Sequence, residues 1–184
     1  MKILGISGSL RAGSFNTALL KAAAELAQKA GVTVEIYDIS DIPFYNSDLD
    51  GDNKPEAVVK FNAAIKSADG LLFSTPEYNY SISGVLKNAI DWASRPGFNA
   101  ALTKKPCGIV SASMSTLGGA RAQIHLRDIL FGTLSPVYLA PEFLLASAHK
   151  AFDENGKLTD QKTAEFLDKY IQGYVGWLNT IKNK

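Results

Sequence analysis

Small polar and cationic side chains are concentrated in residues 8–16, the stretch GSLRAGSFN. This stretch follows an apolar run at residues 3–6 and leads into a helical pattern that begins near Thr17. Its side chains therefore lie beside the free backbone N–H groups of a helix N-terminus. Such a helix end attracts anions, because its N–H groups and the helix dipole both favour negative charge. The groups that could hold an anion belong to Ser9, Arg11, Ser14, Asn16 and Thr17.

Two further polar loops follow apolar runs. The first, PEYNYSISG at residues 76–84, comes after the run GLLFST and contains two tyrosines, an amide and a carboxylate. The second, SMSTLGG at residues 113–119, comes after a run centred on CGIVSA. Each loop precedes a helical pattern, so the chain repeats the order strand, polar loop, helix.

Alternation of apolar runs with helical patterns predicts an α/β fold whose parallel sheet carries helices on both faces. The predicted strands are residues 2–7, 32–37, 70–75, 106–112 and 137–139, and the predicted helices are 17–29, 55–67, 85–92, 120–130 and 159 to about 182. By analogy with a common doubly wound fold, we expect the strand order 2-1-3-4-5. Ligands of such sheets bind at the carboxyl ends of the strands, where the order reverses. The three polar loops should therefore meet at one crevice.

Composition limits the possible partners. A chain of 184 residues is expected to form one domain, 1–184, and its net charge of +1 argues against nucleic-acid and membrane-surface binding. No apolar run approaches the roughly 20 residues of a membrane span, so we expect a soluble, cytoplasmic protein. The single cysteine, Cys107, fits a small core residue, and the two histidines lie far apart without ligand-like neighbours, so no metal site is expected.

The loops suggest the ligand. The first loop has donors for one phosphate but lacks both the G-x-G-x-x-G of dinucleotide folds and the GK[ST] of P-loops. The second suits a flat heteroaromatic ring with a polar edge. A monophosphate joined to a flat ring describes FMN. No side chain stands out as a nucleophile with an oriented base, so we expect no catalytic residue and redox chemistry carried by the cofactor.

The chain resembles the NADPH-dependent FMN reductases and quinone reductases of flavodoxin-like fold, which include the bacterial chromate-reducing enzymes. The resemblance lies in GSLRAGSFN at 8–16, TPEYNYSISGVLKNAIDW at 75–92 and GGARAQIHLR at 118–127. With the expected elements between them, these three motifs span essentially the whole chain.

The resemblance implies a role for each loop. The phosphate ligands would be Ser9, Arg11, Ser14, Asn16 and Thr17; the isoalloxazine would lie along Pro76, Glu77, Tyr78, Asn79 and Tyr80; and Ser113, Ser115, Gly118 and Gly119 would border the ring. Glu77 is expected to fix its loop rather than to transfer a proton, and Arg121, His125 and Arg127 to be structural or interface residues. The chain departs from the family at Ser83, where a proline is expected, so the following helix either starts more loosely or gains a cap.

The resemblance also implies an activity. An NADPH or NADH donor would reduce bound FMN, and a quinone would take two electrons in the same crevice of a homodimer or homotetramer. Azo, nitro or chromate reduction is the same chemistry with another acceptor. A non-enzymatic carrier of single electrons is the alternative of a different class, although flavodoxins that dock on basic partners are usually strongly acidic and this chain is not.

Overall fold

The computed structural model describes residues 1–182, which contain a five-stranded parallel sheet. Its strands are β1 Lys2–Ser7, β2 Thr33–Tyr37, β3 Gly70–Ser74, β4 Cys107–Ala112 and β5 Phe143–Leu145. Their order is β2-β1-β3-β4-β5, and every neighbouring pair is parallel. The predicted flavodoxin-like α/β fold and its strand order are therefore confirmed.

In the described part of the chain, five α-helices cover the two faces of the sheet. They are α1 Phe15–Lys29, α2 Glu56–Ser67, α3 Gly84–Ala93, α4 Ala120–Gly132 and α5 Gln161–Lys182. Helices α1 and α5 pack on one face, whereas α2, α3 and α4 pack on the other. Within residues 1–182, no helix is both long enough and apolar enough to cross a membrane.

The central strands are buried on both faces, which explains their nearly continuous apolar runs. Along β1, Ile3 packs in the core beneath α1 and α5, and Leu4 packs in the opposite core beneath α2 to α4. Both side chains are fully buried. Because successive strand residues point to opposite faces, a run without polar interruption places apolar side chains in both cores.

Two tyrosines of α5 bond to the backbone of the sheet. The hydroxyl of Tyr174 donates to the carbonyl of Leu71 at 2.6 Å, and the hydroxyl of Tyr170 donates to the carbonyl of Ile109 at 2.8 Å. Burial raises the pKa of both phenols and also that of the Cys107 thiol. All three groups are therefore neutral core residues at physiological pH.

The predicted fifth strand, 137–139, is wrong, because β5 is Phe143–Leu145. Val137 makes only an isolated parallel bridge to Cys107, and the regular ladder on this side of β4 begins six residues later, at the pairing of Val110 with Phe143. Between these points the chain passes through Pro141, which has no N–H group to donate to a ladder. The sequence pattern therefore identified the chain segment that first meets the free edge of β4, but not the residues that form the strand there.

Candidate functional site

The three polar loops meet at a crevice of about 340 Å³ at the carboxyl ends of β1, β3 and β4. A volume of this size falls at the lower end of the range of small-molecule sites. The crevice is lined by eight of the residues that the sequence predicts as ligands: Ser9, Arg11, Ser14, Asn16, Pro76, Glu77, Tyr78 and Ser113. The fold thus assembles most of the predicted site from three segments that together span more than 100 positions of the chain.

The first loop presents an anion-binding end of α1. Ser14 is the N-cap, and its hydroxyl accepts a hydrogen bond from Thr17 N–H at 3.3 Å. The N–H groups of Phe15 and Asn16 open the helix and have no carbonyl partner within it. The exposed guanidinium of Arg11 lies 5.5 Å from the ring centre of Phe15 and forms no ion pair within residues 1–182. This end of the crevice therefore offers one cation and several donors to a phosphate.

Two of the predicted phosphate ligands have side chains engaged elsewhere. The amide of Asn16 is buried and bonds to Ala112 and Ser74, as described below, and the hydroxyl of Thr17 lies 2.9 Å from that of Ser7. The side chain of Asn16 is therefore engaged within the protein, and the role of Asn16 as a phosphate ligand stays a prediction. Its backbone N–H, at the start of α1, remains available.

The second loop contains a tight turn from Tyr78 to Ser81. Two backbone hydrogen bonds close the turn, and its central residues Asn79 and Tyr80 have φ of 49° and 71°. Positive φ at both central positions is typical of a type I′ turn. Tyr78 lines the crevice, while Asn79 and Tyr80 form the exposed tip of the turn.

The start of α4 holds this turn in place. The carboxylate of Glu77 accepts a hydrogen bond from the backbone N–H of Arg121 at 3.0 Å, and the Arg121 guanidinium lies 3.9 Å from the ring centre of Tyr80. Nδ1 of His125 lies 3.1 Å from the hydroxyl of Ser81. Glu77 therefore fixes its loop, and Arg121 supports the site although sequence reasoning did not place it there. The signal available in the sequence was its position just after Gly118 and Gly119.

The third loop bends through two left-handed glycines, Gly118 at φ 61° and Gly119 at φ 89°. The hydroxyl of Ser111 donates to the Gly118 carbonyl at 2.6 Å, and the buried amide of Gln123 donates to that hydroxyl at 2.8 Å. Neither glycine lines the crevice, and Ser115 is exposed outside it. Of the residues predicted in this loop, Ser113 lines the crevice. The two glycines thus set the backbone conformation of the loop without lining the crevice themselves.

Sequence reasoning missed three residues that line the crevice. They are Phe15, Ala112 and Met114. Phe15 and Met114 each stand between two predicted ligands, so their positions in the motifs were the available signal.

Ser83 links the first loop to the second. Its hydroxyl donates to the Gly8 carbonyl at 2.5 Å and accepts from Leu86 N–H at 3.3 Å, which makes Ser83 the N-cap of α3. Of the two expectations for this position, the gain of a cap is observed.

Replacement of Ser83 by alanine is expected to lower the free energy of unfolding by about 1–2 kcal/mol, because both bonds and the cap are lost. Urea denaturation of the flavin-free protein measures the change. Ser83→Thr keeps the hydroxyl and should lose less. Ser67→Ala, at an exposed hydroxyl at the end of α2, is the control and should stay within about 0.5 kcal/mol of the parent. An equal loss in Ser67→Ala and Ser83→Ala would contradict this role.

A larger cleft, of about 510 Å³, lies between the start of α1 and the segment from His149 to Gly156. It shares Ser14 and Phe15 with the crevice but contains no residue of the second or third loop. Because a flavin needs both a phosphate cradle and a surface for its ring, the smaller crevice fits FMN better.

Comparison with known proteins agrees with this geometry. Residues 1–150 match the family model described as NADPH-dependent FMN reductase. The chain belongs to this family. It is 47% identical over 183 residues to an NAD(P)H-dependent FMN reductase of Pseudomonas aeruginosa, a match that covers 99% of this chain and 97% of the relative. The resemblance noted from the three motifs is therefore confirmed.

Other family members agree along nearly their whole length. An NAD(P)H:quinone oxidoreductase of Solanum tuberosum is 44% identical over 191 residues, covering 100% of this chain and 96% of the relative. The solved structure of the NAD(P)H:(acceptor) oxidoreductase FerB from Paracoccus denitrificans superposes with a TM-score of 0.89 at 35% identity, covering 97% of each chain. The chain is accordingly an FMN-dependent oxidoreductase that uses NAD(P)H.

Proposed function

We propose that this oxidoreductase passes two electrons from NAD(P)H through bound FMN to a quinone or a similar small acceptor. The observation that carries the proposal is the convergence of a phosphate cradle and an aromatic turn on one crevice. The names of the relatives from Pseudomonas aeruginosa and Solanum tuberosum support the donor and the acceptor class.

Different loops would bind the phosphate and the ring of FMN. The N–H groups at the start of α1, with Ser9, Ser14 and Arg11, would hold the phosphate, and the turn from Pro76 to Tyr80 would lie along the ring. Ser113 would border the ring on the β4 side, with the loop behind it shaped by Gly118 and Gly119. When bound, FMN supplies the redox chemistry. The chain therefore needs only to bind and orient the cofactor and to leave one face of its ring open to donor and acceptor.

The open face is consistent with one shared site. Tyr78 and Tyr80 are 53% and 63% exposed, so the turn does not close over the crevice. A donor and an acceptor that occupy the same place in turn give ping-pong kinetics, with parallel double-reciprocal plots.

Oxidation of NADPH by the purified, FMN-loaded protein tests the proposal. We expect rapid oxidation that depends on added benzoquinone, and parallel double-reciprocal plots when both substrates are varied. Measurements with NADH, azo dyes, nitro compounds and chromate then rank donors and acceptors. FMN binding without turnover, together with a one-electron-reduced form that persists during stepwise reduction, would instead indicate an electron carrier.

We further propose that the chain forms one FMN-binding domain, 1–184, that assembles as a homodimer or homotetramer in the cytoplasm. Light scattering of the purified protein, with and without FMN, measures the assembly. A monomer under both conditions would contradict it.

A further inference from the structure

Asn16 occupies an unusual place for a residue of a phosphate loop. The residue is 4% exposed, and its side chain lies between the ends of strands β3 and β4. The amide nitrogen donates to the Ala112 carbonyl at 2.9 Å, and the amide oxygen accepts from Ala112 N–H at 3.0 Å and from the Ser74 hydroxyl at 3.0 Å. The two bonds to Ala112 determine the orientation of the amide, because the reverse orientation would oppose two donors.

These bonds take the place of a strand ladder. Strands β3 and β4 pair in the register Ser74 to Val110, and Thr75 N–H still donates to the Val110 carbonyl at 3.1 Å. Pro76 then leads the chain away into the second loop and has no N–H group to continue the pairing. The amide of Asn16 satisfies both backbone groups of Ala112 instead. It therefore fills the opening where the two strands part.

The bonds of Asn16 join the first loop to the strand ends that lead into the other two loops. Asn16 lies at the start of α1 beside the first loop, Ser74 is the last residue of β3 before the second loop, and Ala112 is the last residue of β4 before the third. One side chain of the first loop therefore bonds to both strand ends from which the other two loops leave.

We propose that Asn16 is a positioning residue that holds the phosphate end and the ring end of the flavin crevice at a set separation. The proposal rests on FMN binding in this crevice. It assigns the Asn16 side chain no bond to the phosphate.

The energetic reason is burial. Ser74 is fully buried and Ala112 is 3% exposed, so water cannot readily replace the amide. Removal of the side chain leaves a buried N–H, a carbonyl and a hydroxyl without partners, and the loops relax to find others. A flavin contacts the phosphate loop and the ring loops at the same time. When the loops move apart, its contacts at the phosphate and at the ring should both weaken.

Comparison of FMN with riboflavin, which lacks the phosphate, separates positioning from direct binding. In Asn16→Ala, we expect the Kd of both flavins to rise by similar factors, each about 10- to 100-fold. In Arg11→Ala, we expect the Kd of FMN to rise and that of riboflavin to stay unchanged. Quenching of flavin fluorescence by the flavin-free protein measures all four values.

Asn88→Ala is the matched control. The Asn88 amide makes the same kind of two-point contact, donating to the Pro43 carbonyl at 2.9 Å and accepting from Tyr45 N–H at 2.8 Å, but it lies outside the crevice. This variant should lose a comparable part of its stability and keep the parental Kd for both flavins. Asn16→Gln keeps a neutral amide with both its donor and its acceptor on a longer side chain and provides a milder variant if Asn16→Ala does not fold.

Hydrogen exchange of the flavin-free protein supplies a readout that does not depend on flavin. Faster exchange in residues 9–14, 76–81 and 113–119 of the Asn16 variants, but not of Asn88→Ala, is the expected result. A loss of FMN affinity with unchanged riboflavin affinity would show that Asn16 binds the phosphate directly. Unchanged affinities and exchange would show an ordinary structural residue. Parent protein that binds neither flavin would overturn the proposed function, whereas the exchange data would still test the link between the loops.

Discussion

Alanine at Gly119 is expected to lower the free energy of unfolding by about 2–6 kcal/mol, because two costs combine. Gly119 has φ of 89°, a conformation that costs a residue with a side chain about 1–3 kcal/mol. The added Cβ would also lie 2.8 Å from the Ser111 Cβ and 2.9 Å from its hydroxyl oxygen. Overpacking of this kind typically costs a further ~1–3 kcal/mol.

The steric conflict should also reach the crevice. Ser111 holds the Gly118 carbonyl, so displacement of its hydroxyl loosens the third loop beside Ser113. We expect the affinity for FMN to fall together with stability. Urea denaturation of the flavin-free protein and flavin titration measure the two effects.

Gly132→Ala is the matched control for this prediction. Gly132 ends the same helix, and within residues 1–182 a Cβ built there meets no atom within 4 Å apart from the backbone of its own helix and its chain neighbours. Its replacement should change stability by less than about 1 kcal/mol and leave flavin binding unaltered. A Gly119→Ala variant as stable as Gly132→Ala would show that the third loop can adopt another conformation at little cost.

Replacement of Arg11 by alanine is expected to raise the Kd of FMN by about 10- to 100-fold, which corresponds to the loss of a charge-assisted hydrogen bond. The guanidinium is exposed and unpaired within residues 1–182, so its removal leaves no buried group without a partner. Turnover at saturating FMN should stay within about three-fold of the parent, because the proposed binding mode places Arg11 at the phosphate and not at the ring.

Two variants sharpen this test. Arg11→Lys keeps the charge but loses the fork geometry, so an intermediate Kd is expected. Arg95→Ala removes a guanidinium that lies 5.5 Å from the ring centre of Tyr45, the same distance as Arg11 from Phe15, but outside the crevice. The affinity of this control for FMN should equal that of the parent. Loss of turnover in Arg11→Ala at saturating FMN would place the loop closer to the chemistry than we propose.

Local patterns were enough to predict the sheet and the meeting of its loops. Apolar runs such as residues 70–75 are buried on both faces wherever the strand lies inside a doubly wound sheet, and polar loops after such runs gather at one edge. Strand order followed from analogy, since few arrangements connect parallel strands with right-handed crossovers. The position of β5 did not follow, because the pairing of Phe143 with Val110 competes with that of Val137 with Cys107 along the same edge.

The sequence by itself determined which loops form the crevice and which residue types they contain. Only the tertiary structure decided what each side chain does there. Asn16 contacts Ala112 across 96 positions of the chain, and Glu77 contacts Arg121 across 44. No local periodicity encodes such partners, because a buried amide or carboxylate bonds to whichever donors and acceptors the packed elements bring within about 3 Å. The motif at residues 8–16 therefore has two functions: its backbone, Ser9 and Arg11 are offered to an anion, while Asn16 holds the surrounding loops together.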